Sequence, residues 1–310
     1  MRALVLSAFG ADPTVAEVPD PEPGPGEVLV RVHAASLNGF DLAVAAGYLQ
    51  GMMEYRFPVV IGKDFAGTVE AVGPGVDGFA PGDEVLGVVT KPVLQDGSIA
   101  ELVTVPTTIG LAGRPPQLGI EPAAGLGLAG TAALQSVAGT SVGAGDTVLV
   151  SGATGGVGSF AVQLAAARGA RVIATARPGD GAAFVEELGA DVVVDYTGDL
   201  VAQVREAAPD GVDVALHFAG DGATLASLVR DGGRLASALG FSLDDDAGRG
   251  ITSYPLMATP DPATLLALAA LVVEGGLRVP IQRTYELVDA TAALRDFTGG
   301  TRGKLIVAIA

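Results

Sequence analysis

The segment DTVLVSGATGGVGSFAVQLAAARGARVIATAR (146–177) constrains this chain more than any other. An apolar strand runs into Gly152-Ala153-Thr154-Gly155-Gly156-Val157-Gly158, then into a small-residue helix, then into a second apolar strand. Glycines at such a turn let the backbone bend sharply and approach a ligand closely, and the helix start offers free N–H donors and a positive dipole end. A Gly-rich turn alone is weak evidence. Set between a strand and a helix within one βαβ unit, it predicts a seat for the pyrophosphate of a dinucleotide, with Thr154, Gly155, Gly156 and Val157 against it. The alternative is a glycine turn with no ligand.

The end of the second strand bears on which dinucleotide. An NAD site usually places an acid there to bond the ribose 2′-hydroxyl. Here the stretch is Ala174-Thr175-Ala176-Arg177, and the first acid is Asp180, after Pro178-Gly179. With no carboxylate to repel it, a 2′-phosphate is tolerated beside Thr175, and Arg177 is suited to bind it bidentately. An ordinary surface arginine is the alternative. NADP(H) is favoured over NAD.

Around this segment, strands alternate with Ala/Leu-rich helical stretches. The predicted strands are Thr147–Ser151, Arg171–Thr175, Asp191–Val194, Val212–His217 and Gly233–Ala238, and the helices are Gly156–Arg168, Gly181–Leu188, Asp199–Ala208 and Gly222–Arg230. That rhythm predicts a doubly wound parallel sheet. Residues 1–110 read differently, as short strands (Ala3–Ser7, Glu27–Ala34, Gly67–Val72, Glu84–Val89, Glu101–Val105) broken by Gly/Pro turns such as PEPGPGE and APGDE. Irregular spacing of this kind predicts a largely antiparallel β domain. PATLLALAALVVEG reads as a buried helix, and TAALRDFTGG with TRGKLIVAIA as a helix and a terminal strand that returns to the first domain. The length of 310 residues suits two domains.

Composition excludes several chemistries. The chain has no cysteine and only His33 and His217, so it holds no thiol nucleophile, disulfide, iron–sulfur cluster or thiolate zinc site. Its net charge of −17 argues against nucleic acid or an anionic membrane as partner. Its longest apolar run, Leu265–Val273, falls well short of the roughly 20 residues that span a bilayer. The N-terminus reads as a first strand, and a cytoplasmic location is the expectation.

Several blocks in order resemble the medium-chain dehydrogenase/reductase superfamily, in its zinc-free quinone oxidoreductase branch. They are GEVLVRVHAASLNGFD (26–41), PVVIGKDFAGTVEAVGPGVDGFAPGDEV (58–85), GSIAELV (97–103), GLAGTAAL (127–134), the 146–177 segment and RGKLIVAI (302–309). The resemblance implies an α/β architecture: a GroES-like β-rich substrate domain over 1–120 and 260–310, and a Rossmann doubly wound parallel sheet over 121–259. Where zinc-dependent relatives carry a metal-binding Cys, this chain has Asn38. Their His-Glu pair appears as Lys63-Asp64, and the third-ligand region is the Cys-free GLAGTAAL.

Carried over residue by residue, Asn38 matches a pocket Asn at the nicotinamide, with a turn residue capping its own backbone as the alternative. Thr131 matches a Thr that approaches the nicotinamide end. Tyr196 matches a Tyr placed against the adenosine 2′-phosphate, and otherwise is an edge tyrosine. Phe218 and Ala219 fall on the adenosine side and Leu239 near the nicotinamide ribose, with turn packing as the alternative for all three. Two positions depart from the family: Ala43 replaces a Tyr of several quinone reductases, and Gly47-Tyr48 sets its Tyr one residue earlier than the Gly-x-Tyr of enoyl reductases. Tyr48 is either a second catalytic group or a rim aromatic. His217 reads as a strand-end His bonded to backbone.

The expected activity is hydride transfer from NADPH to a quinone or α,β-unsaturated carbonyl, a small hydrophobic electrophile, without metal. Asn38 would polarise the oxygen, and Tyr48 or a water would protonate it. The competing readings are enoyl-thioester reduction and a non-catalytic NADPH-binding sensor or interaction protein. The family also implies a homodimer, with Gly250–Tyr254 as the candidate edge strand.

Overall fold

Alternating burial along Glu27–Ser36 organises the first part of the molecule. Val28, Val30 and Val32 point into a core while Arg31 and His33 face outward, as a half-buried strand requires. The computed structural model describes residues 1–243 and 248–309; residues 244–247 and Ala310, the last residue expected in the substrate domain, lie outside them. The chain divides into two compact units, Met1–Thr131 with Thr259–Ala310, and Ala132–Ala258.

In the first unit Glu27–Ser36 lies between Asp64–Val72 and Lys304–Ala308, and Leu102–Pro106 also pairs with it. The sheet continues through Glu84–Val88 to Leu111–Gly113 on one side and through Lys304–Ala308 to Ile281–Glu286 on the other. All its pairs are antiparallel except Ile281–Glu286 with Lys304–Ala308. The terminal strand sets Ile306 opposite Ser36, which ties the C-terminus to the N-terminal unit. A smaller sheet joins Thr14–Glu17, Arg2–Leu6 and Val59–Val60. Leu4, Leu37, Ile61, Phe65 and Leu305 are packed in one apolar core.

The second unit is a six-stranded sheet in the order Val192–Val194, Arg171–Thr175, Thr147–Ser151, Val212–His217, Val229–Ser237, Thr252–Pro255, parallel throughout. Numbered along the unit this is 3-2-1-4-5-6, the Rossmann order, in which ligands bind at the carboxyl ends of the strands where the order reverses. That point lies between Thr147–Ser151 and Val212–His217. Both strands are almost wholly buried, as their unbroken apolar runs require.

Elements that differ from the sequence reading include three helices. The helix expected over Gly222–Arg230 ends at Leu228; Val229 is buried opposite Val212 and opens the next strand. The helix Pro262–Val273 is buried on one face only, with Leu265, Leu268 and Ala269 inward and Leu266 and Val273 exposed. The 20-residue helix Ile120–Gly139 was not anticipated, because glycines interrupt its apolar pattern. They allow close packing: a Cβ on Gly127 would lie 2.7 Å from Val88 Cγ2 and 2.9 Å from Asp64 Oδ1.

Phe65 is among the largest fully buried side chains. Phe65→Ala is expected to lower the unfolding free energy by about 3–5 kcal/mol, read from urea unfolding followed by circular dichroism. A loss below about 1 kcal/mol would show that the site collapses around the smaller side chain.

Candidate active site

In the second unit, the turn after Thr147–Ser151 is shaped by glycine. Gly152 has φ +66°, and a Cβ there would meet that of Ala219 at 2.9 Å. A Cβ on Gly158 would lie 2.2 Å from the Gly152 carbonyl oxygen, so the helix Gly156–Ala166 can press onto the turn only with glycine at that position. Gly155 caps the helix, and the first intrahelical bond runs from Ser159 N–H to the Gly155 carbonyl. The amides of Gly156, Val157 and Gly158 precede that bond and form the donor end of the helix. Thr154, Gly155, Gly156 and Val157 are partly exposed around it. The cradle fits a pyrophosphate.

Thr175 is buried, and its hydroxyl accepts the Gly152 N–H at 2.9 Å, so it supports the turn from beneath. Beyond it, the exposed Arg177 guanidinium lies 5.7 Å from the ring centroid of Tyr196. The only carboxylate beside Tyr196 in sequence, Asp195, accepts from the Thr197 hydroxyl and N–H at 2.7 and 2.9 Å. Those two bonds, aided by Arg177, hold its pKa below the ordinary value. Arg177 and Tyr196 thus stand together at the exit of the second strand.

Two serines buried at strand ends, absent from the sequence reading, hold the remaining loops. Ser151 Oγ accepts from the N–H groups of Phe218 and Ala219, at 3.1 and 3.4 Å. Ser237 Oγ accepts from the N–H of Leu239 at 3.1 Å and lies 3.0 Å from His217 Nδ1. His217 Nε2 is 3.1 Å from the Gly220 carbonyl oxygen, so both ring nitrogens are engaged and the residue is structural. Ala219 and Leu239 are exposed and Phe218 is half-buried.

In the first unit Asn38 sits between Glu27–Ser36 and the short helix Gly39–Ala45, which it caps. Its N–H donates to Asp41 Oδ2 at 2.8 Å. Its side chain is held as well: Nδ2 donates to Asp64 Oδ2 at 3.0 Å, and Oδ1 accepts from Lys304 Nζ at 2.8 Å. Asp64 also accepts from the Ser36 hydroxyl at 3.0 Å and from the Leu128 N–H at 2.8 Å. Burial pushes the Asp41 carboxyl up to about 7, opposed by the Asn38 N–H and by Lys304 and Lys63. Burial lowers Lys63 and Lys304, and in each case Asp41 and Asp64 oppose it.

Lys63 donates to the Val89 carbonyl, and its Nζ lies 4.6 Å from the Phe40 ring centroid. Tyr48 is 75% exposed. Thr131 is fully buried, and its hydroxyl, like those of Ser98 and Ser136, has no hydrogen-bond partner among the described residues. Sequence reasoning set Asn38, Lys63 and Asp64 side by side as replaced zinc positions. It missed Lys304, whose only signal was the RGK block.

A parallel sheet in the Rossmann order with this glycine turn, and a β-rich unit that includes the strand Lys304–Ala308, are the two parts expected of an oxidoreductase of the nicotinamide-dinucleotide class. Residues 24–116 match the alcohol dehydrogenase GroES-like domain, and residues 156–258 match the zinc-binding dehydrogenase domain. A chloroplast envelope quinone oxidoreductase homolog of Arabidopsis thaliana is 31% identical over 99% of this chain and 98% of its own length. The quinone oxidoreductase of Coxiella burnetii superposes with a TM-score of 0.90 at 29% identity, over 100% of this chain and 99% of that one. A mycobacterial protein solved in complex with NADPH superposes at 0.88 with 28% identity, over the whole of both chains. The chain belongs to the quinone oxidoreductase branch of the medium-chain dehydrogenase/reductase superfamily.

The raised Asp41 carboxyl has a measurable consequence. Because its folded pKa lies above the ordinary 3.8, the folded chain binds this proton more tightly than the unfolded chain. That stabilisation is complete below 3.8 and is lost as pH rises through about 7. Asp41→Asn, which does not ionise, should therefore gain stability relative to wild type between about pH 5 and pH 8. Urea unfolding across that range measures the difference, and a pH-independent gap would reject the assignment.

Proposed function

We propose that the protein is an NADPH-dependent reductase that passes hydride to a quinone or α,β-unsaturated carbonyl without a metal. The observation that carries the cofactor half of this reading is Arg177 lying over Tyr196 at the exit of the second strand, with Asp195 turned into its own loop. A guanidinium there suits a 2′-phosphate. The mycobacterial neighbour's NADPH complex supports the same choice, and the quinone oxidoreductase relatives support the substrate class.

When bound, the reduced nicotinamide supplies the hydride. The glycine turn and the donor end of Gly156–Ala166 would hold its pyrophosphate, and Thr131, whose hydroxyl has no partner among the described residues, would serve the nicotinamide end. Asn38 offers an amide donor to the oxygen that becomes anionic, and Tyr48 or a water delivers the proton. A quinone asks least of these groups, because its reduced anion is already delocalised. The absence of cysteine supports a metal-free reaction, and among the described residues no group of three His, Cys, Asp or Glu is placed to hold a metal ion. No helix among the described residues is long and apolar enough to cross a membrane. We further propose a cytoplasmic homodimer joined through Thr252–Pro255, one of the two edge strands of the parallel sheet.

NADPH oxidation with a panel of small quinones, enones and enoyl thioesters, beside a fluorescence titration, tests the reading. Arg177→Ala is expected to weaken NADPH binding by about tenfold or more, roughly 1.4 kcal/mol, and to leave NADH binding nearly unchanged. A tenfold preference of the wild type for NADH would refute the role of Arg177. NADPH binding without turnover of any acceptor would make the protein a sensor rather than an enzyme.

A further inference from the structure

Lys304 is 1% exposed, at the first position of the terminal strand. A lysine so deeply buried needs partners for all of its polar capacity. Nζ has three acceptors: the Leu37 carbonyl at 3.0 Å, Asn38 Oδ1 at 2.8 Å and Asp64 Oδ2 at 3.4 Å. Three acceptors match the three N–H bonds of an ammonium, whereas a neutral amine would turn its lone pair toward an oxygen.

The same contacts determine which way the Asn38 amide faces. Lysine only donates, so the atom beside it is the amide oxygen. Asp64 already accepts from the Ser36 hydroxyl, the Leu128 N–H and Lys304, so the Asn38 atom beside it is the amide nitrogen. Either partner alone would set the amide, and the two agree. One hydrogen of Nδ2 is spent on Asp64, and the other has only the Ser36 carbonyl at 3.5 Å, the outer limit of a hydrogen bond. That hydrogen is the one the amide can release to an incoming oxygen. The ammonium on Oδ1 draws electron density from the amide and so strengthens the remaining N–H as a donor. A buried ion pair of this kind contributes little net stability, because desolvation offsets the attraction. What it supplies is orientation and charge.

We infer that Lys304 is a positioning residue: with Asp64 it fixes the Asn38 amide so that one polarised N–H faces the developing oxyanion of the substrate. Its kinetic consequence rests on the reductase reading, while its effect on the amide does not.

The full chain is compared with Asn38→Ala, Lys304→Met, Lys304→Gln and the double variant N38A/K304M, using NADPH and 1,4-benzoquinone. Lys304→Met is expected to lower kcat by about tenfold or more, with KM for NADPH moving less than about threefold. Lys304→Gln keeps a donor to Oδ1 without the charge, and should fall between Met and wild type. In the Asn38→Ala background Lys304→Met should cost less than about twofold more, because its route to the substrate is already gone. Losses that multiply in the double variant would overturn the proposal and leave Lys304 a packing residue. The second arm is the pair of Asn38 side-chain amide signals in a proton–nitrogen NMR spectrum, assigned by their loss in Asn38→Ala. They should move in Lys304→Met, and unmoved signals overturn the positioning role whatever the kinetics. If the wild type turns over no acceptor, the reductase reading falls, and the NMR arm still decides whether Lys304 orients Asn38. If Lys304→Met does not fold, Lys304→Gln carries both arms.

Discussion

The Asp64 carboxylate is the constraint around which the first unit is built. It is fully buried, and a buried carboxylate is tolerated only when donors reach it. Those donors come from four places in the chain: Ser36 at the end of its strand, Asn38 at the cap of the next helix, Leu128 in the long helix, and Lys304 in the terminal strand. Each element must therefore arrive at the same point. The pairing of Lys304–Ala308 with Glu27–Ser36 delivers the last of them, and Gly127 lets the long helix come close enough to offer its N–H.

The second unit is governed by a different economy, that of close backbone approach. Gly152, with its left-handed φ, and Gly158, with a neighbouring carbonyl where a Cβ would sit, bring a helix start against a strand end. The donors left over are aimed outward. The hydroxyls of Ser151, Thr175 and Ser237 then hold the loops that follow the strands, each satisfying backbone N–H groups beyond the carboxyl ends of the sheet.

The sheet of the second unit was readable because parallel strands buried on both faces write themselves as apolar runs, as in Val148–Val150 and Val214–Leu216. The helix Ile120–Gly139 was not readable, because Gly125, Gly127 and Gly130 serve packing against distant residues and so lower its local helical signal. The site was legible to the same degree. Asn38 and Arg177 stood out by type and position. Ser151 and Ser237 did not, since a serine at a strand end carries no pattern of its own. Tyr48 was singled out by its neighbouring glycine, and the fold leaves it largely in solvent.

Composition and local pattern alone determined the absence of thiolate chemistry, the division into a β-rich part and an α/β part, and the glycine turn that fits a dinucleotide. These follow from periodicity and residue type, which act over a few neighbouring positions. Only the tertiary structure decided that Lys304, 266 residues from Asn38, lies against its amide, and that the carboxylate of Asp64 sits between them. Contacts of that range depend on which strands pair, and strand pairing is a property of the whole sheet rather than of any segment within it.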